Sequence, residues 1–566
     1  MATKRWHLWG FIPCSAGLWP LGLYLWNKKI DRRTFRIVSR ILSYGCFFAG
    51  SVLFIAGLWR LAGILIAIRV LIWIDQAANL SAPLVESNQL EISRLFNHPF
   101  DKASLLYIGL IFLVFAVSKE RLIEFTDPSD HFYHMAVAQK ILERGSIPLW
   151  DDWEFAPEGR PHLYPPLLHL LIAFFAGAPD RVLIGFSNIQ MLLYPSALFA
   201  YWLLFRTWLR PSHAYLSLLI LSMEFMFTMG CLIGLPASLV NAMWPFILLA
   251  LTKKKNYAAM LLLAAAFYTH TGMPILISLA LLVFGVWKRQ FFLSSVFVVM
   301  GACILSIPWT LRYYVFADWM HSGGAPGYSV SSIVARLLWL QIINPLFIIL
   351  AVWGFFRLKE AAVFKSQALG FLPMLIQYGG RFFMHGAPFL SPFIAVHFLR
   401  FLEGSITRRR AAAFALMTLI PLPCINFIGP GDQVKISLFP GITASHLCVF
   451  YVLNRQPKDQ SDLENLVDAL RNTTSPDDIL HLPDEGMYHF ADYLTVMTGR
   501  RTDMGGWGEV SKPEMWEAIQ KSRNDPNDGV FVSKKRENIP DSRCIEEIGS
   551  FFIGRPPAEE VDPETN

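Results

Sequence analysis

Residues 257–287 read YAAMLLLAAAFYTHTGMPILISLALLVFGVW, two apolar runs, Tyr257–His270 and Ile275–Trp287, on either side of a short polar turn. Neither run holds a Lys, Arg, Asp or Glu. A helix crossing the hydrocarbon core needs about 20 apolar residues, so these are short spans whose turn brings Thr269, His270 and Thr271 to one membrane face. Comparable stretches recur from Leu8 to Phe427. The expected fold class is therefore a polytopic α-helical membrane protein of about 12–14 spans. Composition agrees: of 566 residues, 54% are hydrophobic and only 16% charged, outside the range of a soluble globular chain. Many Trp and Tyr fall at segment ends, where interfacial anchoring places them.

The formal charge of +6 does not indicate a nucleic-acid binder. Its basic residues stand in short clusters between apolar runs: Lys28, Lys29, Arg32, Arg33 and Arg36; Lys253 to Lys255; Arg408 to Arg410. Such clusters mark cytoplasmic loops. Taking them as inside puts the polar loop 119–165, the turn Gly234–Leu239 and the loop Arg312–Val330 outside, with Arg381 at the external end of its span. Seven cysteines form no CxxC pair, so neither a zinc site nor a disulfide framework is expected. Leu8–Trp26 has a basic start, but Pro13, Pro20 and a basic flank without a small-residue cleavage site make it a retained span.

From about Gln456 the composition turns polar, and Asp478–Leu482 and Gly529–Val532 read as short buried strands among helical patterns. The expected domains are a membrane domain, 1–455, and a soluble C-terminal α/β domain, 456–566. Between them Ser437–Leu453 either spans or loops outside. The external loop is favoured, which places the C-terminal domain outside as well.

Chemistry concentrates in residues 125–171, FTDPSDHFYHMAVAQKILERGSIPLWDDWEFAPEGRPHLYPPLLHLL. Ionisable groups this dense beside spanning helices are functional candidates. Met135–Leu142 is helical in pattern, so Asp130 and His134, four apart, share one face at the helix start. A carboxylate and an imidazole there suit a divalent cation. Equally, Asp130 serves as a helix N-cap and His134 as a histidine that only satisfies a hydrogen bond.

The order Asp130, Tyr133, His134, then a helix, "WDDW", "PEGRPH" and "YPPLLHLL" resembles the first external loop of oligosaccharyltransferase catalytic subunits. More broadly it resembles the GT-C class of membrane glycosyltransferases. The resemblance implies that Asp130 binds a catalytic metal, Mg²⁺ or Mn²⁺, and that the donor is a sugar on a polyprenyl phosphate or pyrophosphate. Further similarities are the turn GLPASL, with Pro236, Ala237 and Ser238 where the class has carboxylates, and YTHTGMP, a membrane-edge His motif around His270. Arg381 in YGGRFF resembles the arginine that contacts the lipid-linked phosphate. YSVSS at Tyr328–Ser332 resembles the external "SVSE" motif with Ser332 in place of its glutamate. The acceptor motif "WWDYG" is absent; the comparable stretch is LPDEGMYHFADYL, and Ala136 stands where the family has an arginine. Transfer to asparagine is therefore not expected, and a lipid-linked glycan or another hydroxyl fits better.

These residues define the expected site. Asp130, helped by His134, holds the metal, Arg381 and His270 hold the donor phosphate, and Asp151, Asp152 or Glu154 is the base that deprotonates the acceptor. The composition leaves the choice among those three open. The plainer alternatives are a solvated WDDW loop, a snorkelling Arg381 and a packed His270. The expected function is a multi-pass membrane glycosyltransferase acting on an extracytoplasmic glycan, lipid or protein acceptor, with no nucleic-acid partner. Alternatives are an oligosaccharyltransferase, a transporter or flippase for lipid-linked glycans, and a non-catalytic subunit. Transport is disfavoured because the charges gather in one external loop and not at the bilayer midplane.

Overall fold

A computed structural model describes residues 98–117, 130–222, 224–232, 236–320, 355, 361–373, 379–401, 422–426, 435–439, 460–484, 487–505, 510–525 and 528–556. The spans expected before residue 98, the YSVSS stretch and the Arg408 cluster lie outside these residues. The backbone divides into two units. One comprises Met1–Arg121, Gln190–Leu305 and Tyr328–Asn454; the other comprises Leu122–Ile189, Ser306–Gly327 and Arg455–Asn566. Among the described residues the strands are β1 (Trp150–Asp151), β2 (Arg160–Pro161), β3 (Leu422–Asn426), β4 (Lys435–Phe439), β5 (Ile479–His481), β6 (Arg501–Thr502), β7 (Val530–Ser533), β8 (Cys544–Ile548) and β9 (Phe551–Arg555).

Among its described residues the first unit is helical apart from the antiparallel pair β3–β4. The two runs quoted above form helices Asn256–Phe267 and Met273–Trp287, joined by the expected turn. Among the described residues, Pro179–Trp208 and Arg289–Val315 are long and apolar enough to cross a membrane, and four apolar helices are shorter. On helix Phe292–Val315 apolar side chains lie open along one face: Leu293, Phe297, Met300, Ile304 and Leu311. Polar groups meanwhile turn inward. Asp101 is buried and pairs with Arg206 at 2.7 Å, and Trp244 donates to Gln367 Oε1 at 2.9 Å while stacking on Phe371. Apolar side chains outside and polar pairs inside are what a hydrocarbon solvent selects.

Residues 211–232 form two helices, Pro211–Ser222 and Phe225–Leu232, separated at Glu224, whose Oε2 accepts the Phe227 amide at 2.5 Å. The carboxylate thus caps the second helix, which accounts for an acidic residue within an apolar run. After the loop, helix Leu167–Ala176 stops at Gly177, in the left-handed region at φ +71°, before a turn at Pro179–Arg181 and helix Val182–Trp208.

The second unit holds the loop and the C-terminal segment. Helix Asp130–Arg144 is followed by the antiparallel hairpin β1–β2, which pairs Asp151 with Arg160, and then by helix Leu167–Ala176. Both expected strands of the C-terminal segment are present, as β5 and β7. They lie in a five-stranded sheet of order β6-β5-β7-β9-β8, parallel through β6-β5-β7 and antiparallel through β7-β9-β8. Helix Gln460–Thr473 buries Leu463, Leu466, Val467 and Leu470, spaced three and four apart, against Leu480, Val530, Val532 and Phe551. β6 is an edge strand, and an unpaired edge invites a partner. Here the loop supplies it: Thr502 N donates to Trp153 O and Ala156 N donates to Thr502 O, each at 2.9 Å.

Candidate functional site

The centre of the second unit is a buried ionic network on the hairpin. Arg160 is 1% exposed; its Nη2 donates to Glu154 Oε2 at 2.7 Å and its Nε lies 3.5 Å from Asp151 Oδ2. The guanidinium also stands over the Phe155 ring, 4.5 Å from its centroid. Burial opposes the Arg160 charge, but Glu154 and Asp151 outweigh it and hold its pKa above the ordinary value. Tyr133, on helix Asp130–Arg144, donates to Asp151 Oδ2 at 3.2 Å and hydrogen-bonds His162 Nδ1 at 2.9 Å. His162 Nδ1 is also 2.9 Å from Asp151 Oδ1. Burial first, and the Asp151 charge second, push the Tyr133 hydroxyl well above its ordinary pKa, so it remains a donor.

The hairpin turn has little freedom. Gly159 has φ +68°, and a Cβ there would stand 2.3 Å from the Asp151 carbonyl oxygen. Gly159→Ala is expected to destabilise the unit by about 2 kcal/mol or more, from left-handed strain of about 1–2 kcal/mol plus the clash. Thermal unfolding of the purified variant checks this.

The expected site residues fall into distinct settings. Asp130 is the first residue of helix Asp130–Arg144, one turn before His134. His134 is buried, and its Nδ1 is 2.9 Å from His169 Nε2. One N–H bridges those two nitrogens, so both rings are fixed in place. Neighbouring His131, fully buried, is lowered by desolvation to a pKa of about 3 and stays neutral. Asp151 and Glu154 are brought together by Arg160, whereas Asp152 points outward and is bound by Arg144 Nη2 at 2.6 Å. An exposed pair contributes less than about 1 kcal/mol, while stripping a buried one costs several. Asp152→Ala is therefore expected to leave the unfolding midpoint nearly unchanged and Asp151→Ala to lower it clearly, in the same thermal assay.

His270 and Arg381 belong to the first unit. His270 Nδ1 accepts the amides of Gly272 at 3.0 Å and Met273 at 3.2 Å, capping helix Met273–Trp287. Arg381 is in the first turn of helix Gly379–Phe401, and Pro236–Ser238 open helix Pro236–Thr252. Among the described residues no group of three or more His, Cys, Asp and Glu is placed to hold a metal. His134 Nδ1 is engaged by His169.

Sequence reasoning did not single out Arg160, His162 or His169. The first two lie in PEGRPH, read as a family pattern and not as an ion-pair partner for WDDWEF. Their signal was present: a two-strand hairpin with Asp151 opposite Arg160 sets opposite charges side by side. Trp309 and Arg312, near the end of helix Phe292–Val315, also hold the loop. Trp309 Nε1 donates to Leu163 O at 3.1 Å, and Arg312 Nη2 to Leu149 O at 2.8 Å.

Neither a protein-family model nor a curated protein sequence matches the chain. Solved structures do. ArnT from Cupriavidus metallidurans in the apo state superposes with a TM-score of 0.54 at 10% identity, over 80% of this chain and 98% of that one. The same protein bound to undecaprenyl phosphate gives 0.53 at 11% identity, with the same coverage. The oligosaccharyltransferase of Archaeoglobus fulgidus, crystallised with Zn and sulfate, gives 0.50 at 10% identity over 75% of this chain and 67% of that one. The fold is that of ArnT. The match spans nearly all of that protein, so it covers an architecture and not one shared helix bundle. At such identity the likeness extends to the fold and no further.

Proposed function

We propose that the protein is a membrane glycosyltransferase that moves a sugar from a polyprenyl-phosphate or pyrophosphate donor to an extracytoplasmic acceptor. The observation that carries this reading is the superposition over nearly the full length of ArnT, a protein solved with undecaprenyl phosphate bound. In the reaction the acceptor oxygen attacks the anomeric carbon, the bond from that carbon to the phosphate oxygen breaks, and the acceptor proton passes to a carboxylate.

Asp130, at the start of its helix, acts at the reacting centre. Arg381 neutralises the departing phosphate through its paired N–H donors. Of the three carboxylates suited to the base, Asp152 alone reaches solvent, while Asp151 and Glu154 are counterions to Arg160. The loop and the C-terminal domain lie on the extracytoplasmic side. The missing acceptor motif directs transfer to a hydroxyl and away from asparagine.

A second reading, a non-catalytic subunit, draws support from Pro236, Ala237 and Ser238 standing where the class has carboxylates. The two are separated by incubating membranes that contain the full-length protein with a panel of radiolabelled polyprenyl-phosphate and pyrophosphate sugars, with and without EDTA. Label leaving the lipid for a second molecule supports the enzyme, and EDTA reports on the metal. No transfer from any donor favours the subunit.

A further inference from the structure

A cavity of about 460 Å³ opens where the C-terminal segment meets the start of a long apolar helix. The loop side contributes Gln139, on helix Asp130–Arg144, with Asp180 and Leu183; the C-terminal segment contributes Arg471, on helix Gln460–Thr473, and the turn 496–500. All of these residues belong to the second unit. Pro179–Trp208 is long and apolar enough to cross a membrane, and Asp180 and Leu183 stand in its first turns. A cavity at the end of a span lies at the level of the lipid headgroups. Helix Leu167–Ala176, just before it, agrees. Leu170, Phe174 and Phe175 are open on its surface, Phe174 at 78%, yet its 10 residues are too few to cross the core, so it suits the interface.

The cavity carries charges of both signs. Arg471 donates Nε–H to the Met497 carbonyl at 2.7 Å, which fixes its guanidinium at the cavity, and its Nη groups donate to no described residue. Arg500 is engaged differently: its Nε donates to Thr474 Oγ1 at 3.0 Å and its Nη2 to the Thr474 carbonyl at 2.6 Å, so it closes the end of helix Gln460–Thr473. Asp180 is exposed and brings the opposite charge to the same cavity. A guanidinium fork matches a phosphate, and a carboxylate accepts the N–H groups of a primary ammonium. The lining holds no aromatic ring, the surface a quaternary ammonium would seek. We propose that this cavity binds a zwitterionic phospholipid by its phosphoethanolamine headgroup, with the phosphate on Arg471 and the ammonium on Asp180. The acyl chains then run along the apolar start of helix Val182–Trp208, and the lipid ties the C-terminal segment to the bilayer. Asp130, His134, His270 and Arg381 take no part, so the site stands independently of sugar transfer.

The test is native mass spectrometry of the full-length protein released from micelles containing phosphatidylethanolamine, phosphatidylglycerol or undecaprenyl phosphate, the two phospholipids having identical acyl chains. Wild type is expected to hold phosphatidylethanolamine about 5-fold more tightly than phosphatidylglycerol, which keeps the phosphate and lacks the ammonium. Asp180→Asn is expected to erase that preference, and Arg471→Ala to weaken both phospholipids about 10-fold. Arg536→Ala, which removes an arginine paired with Asp541 outside the cavity, is expected to change neither. Asp180→Asn alters an exposed side chain, so it tests the pairing without threatening the fold. Equal binding of the two phospholipids by wild type, or a preference for phosphatidylglycerol, would overturn the proposal. So would an unchanged preference in Asp180→Asn, or displacement of phosphatidylethanolamine by undecaprenyl phosphate, which would assign the cavity to a polyprenyl lipid instead.

Discussion

Arg160→Ala is expected to destabilise the loop and C-terminal unit by about 3–5 kcal/mol, the range found when one partner of a buried ion pair is removed. Arg160 has 1% of its surface exposed and supplies the only guanidinium paired with the wholly buried Glu154 among the described residues. Removing it takes the guanidinium from buried Glu154 and Asp151, and also empties the space over Phe155. Arg160→Lys should recover only part of the loss, because an ammonium cannot reach two carboxylates with a planar fork. Thermal or denaturant unfolding of the purified variants measures the effect. Stability within about 1 kcal/mol of wild type would mean that the network is solvated.

Asp130→Ala is expected to lower sugar transfer by at least about 100-fold, the usual lower bound for losing a group that acts at the reacting centre. Its effect on stability should be small by comparison. A helix-start Asp contributes about 1 kcal/mol as a cap, so a residue that only caps would give a folded protein with nearly full transfer. Asp130→Asn separates the two roles, since asparagine caps as well as aspartate but carries no charge. If the carboxylate charge is needed, Asp130→Asn fails as badly as alanine does.

How much of this was legible in the sequence depends on which force wrote it. Periodicity and apolar length made the helical hairpin 257–287 readable, because lipid demands continuous apolar helices. Asp478–Leu482 and Gly529–Val532 were readable as strands because both are short apolar runs in a polar segment. β6 was not: it is two residues long, and its pairing comes from β5 on one side and the loop on the other. The break at Glu224 was not readable either, because its capping of the next helix is a local geometry that hydropathy averages away.

The site divides in the same manner. Residue types marked WDDWEF as acidic and functional, but could not say which carboxylates point inward. Asp151 and Glu154 turn toward Arg160 while Asp152, between them, turns to solvent and Arg144. The dependence of the loop on Thr502 was invisible, since more than 300 residues separate Trp153 from Thr502.

The central claim is that this chain transfers sugar from a lipid phosphate at a site built on the loop that begins with Asp130. The most direct test compares wild type with Asp130→Ala and Asp152→Ala in membranes supplied with radiolabelled polyprenyl-phosphate sugars, after matching the amount of folded protein. The account predicts transfer by wild type that Asp130→Ala abolishes. Transfer that persists unchanged in Asp130→Ala would contradict it.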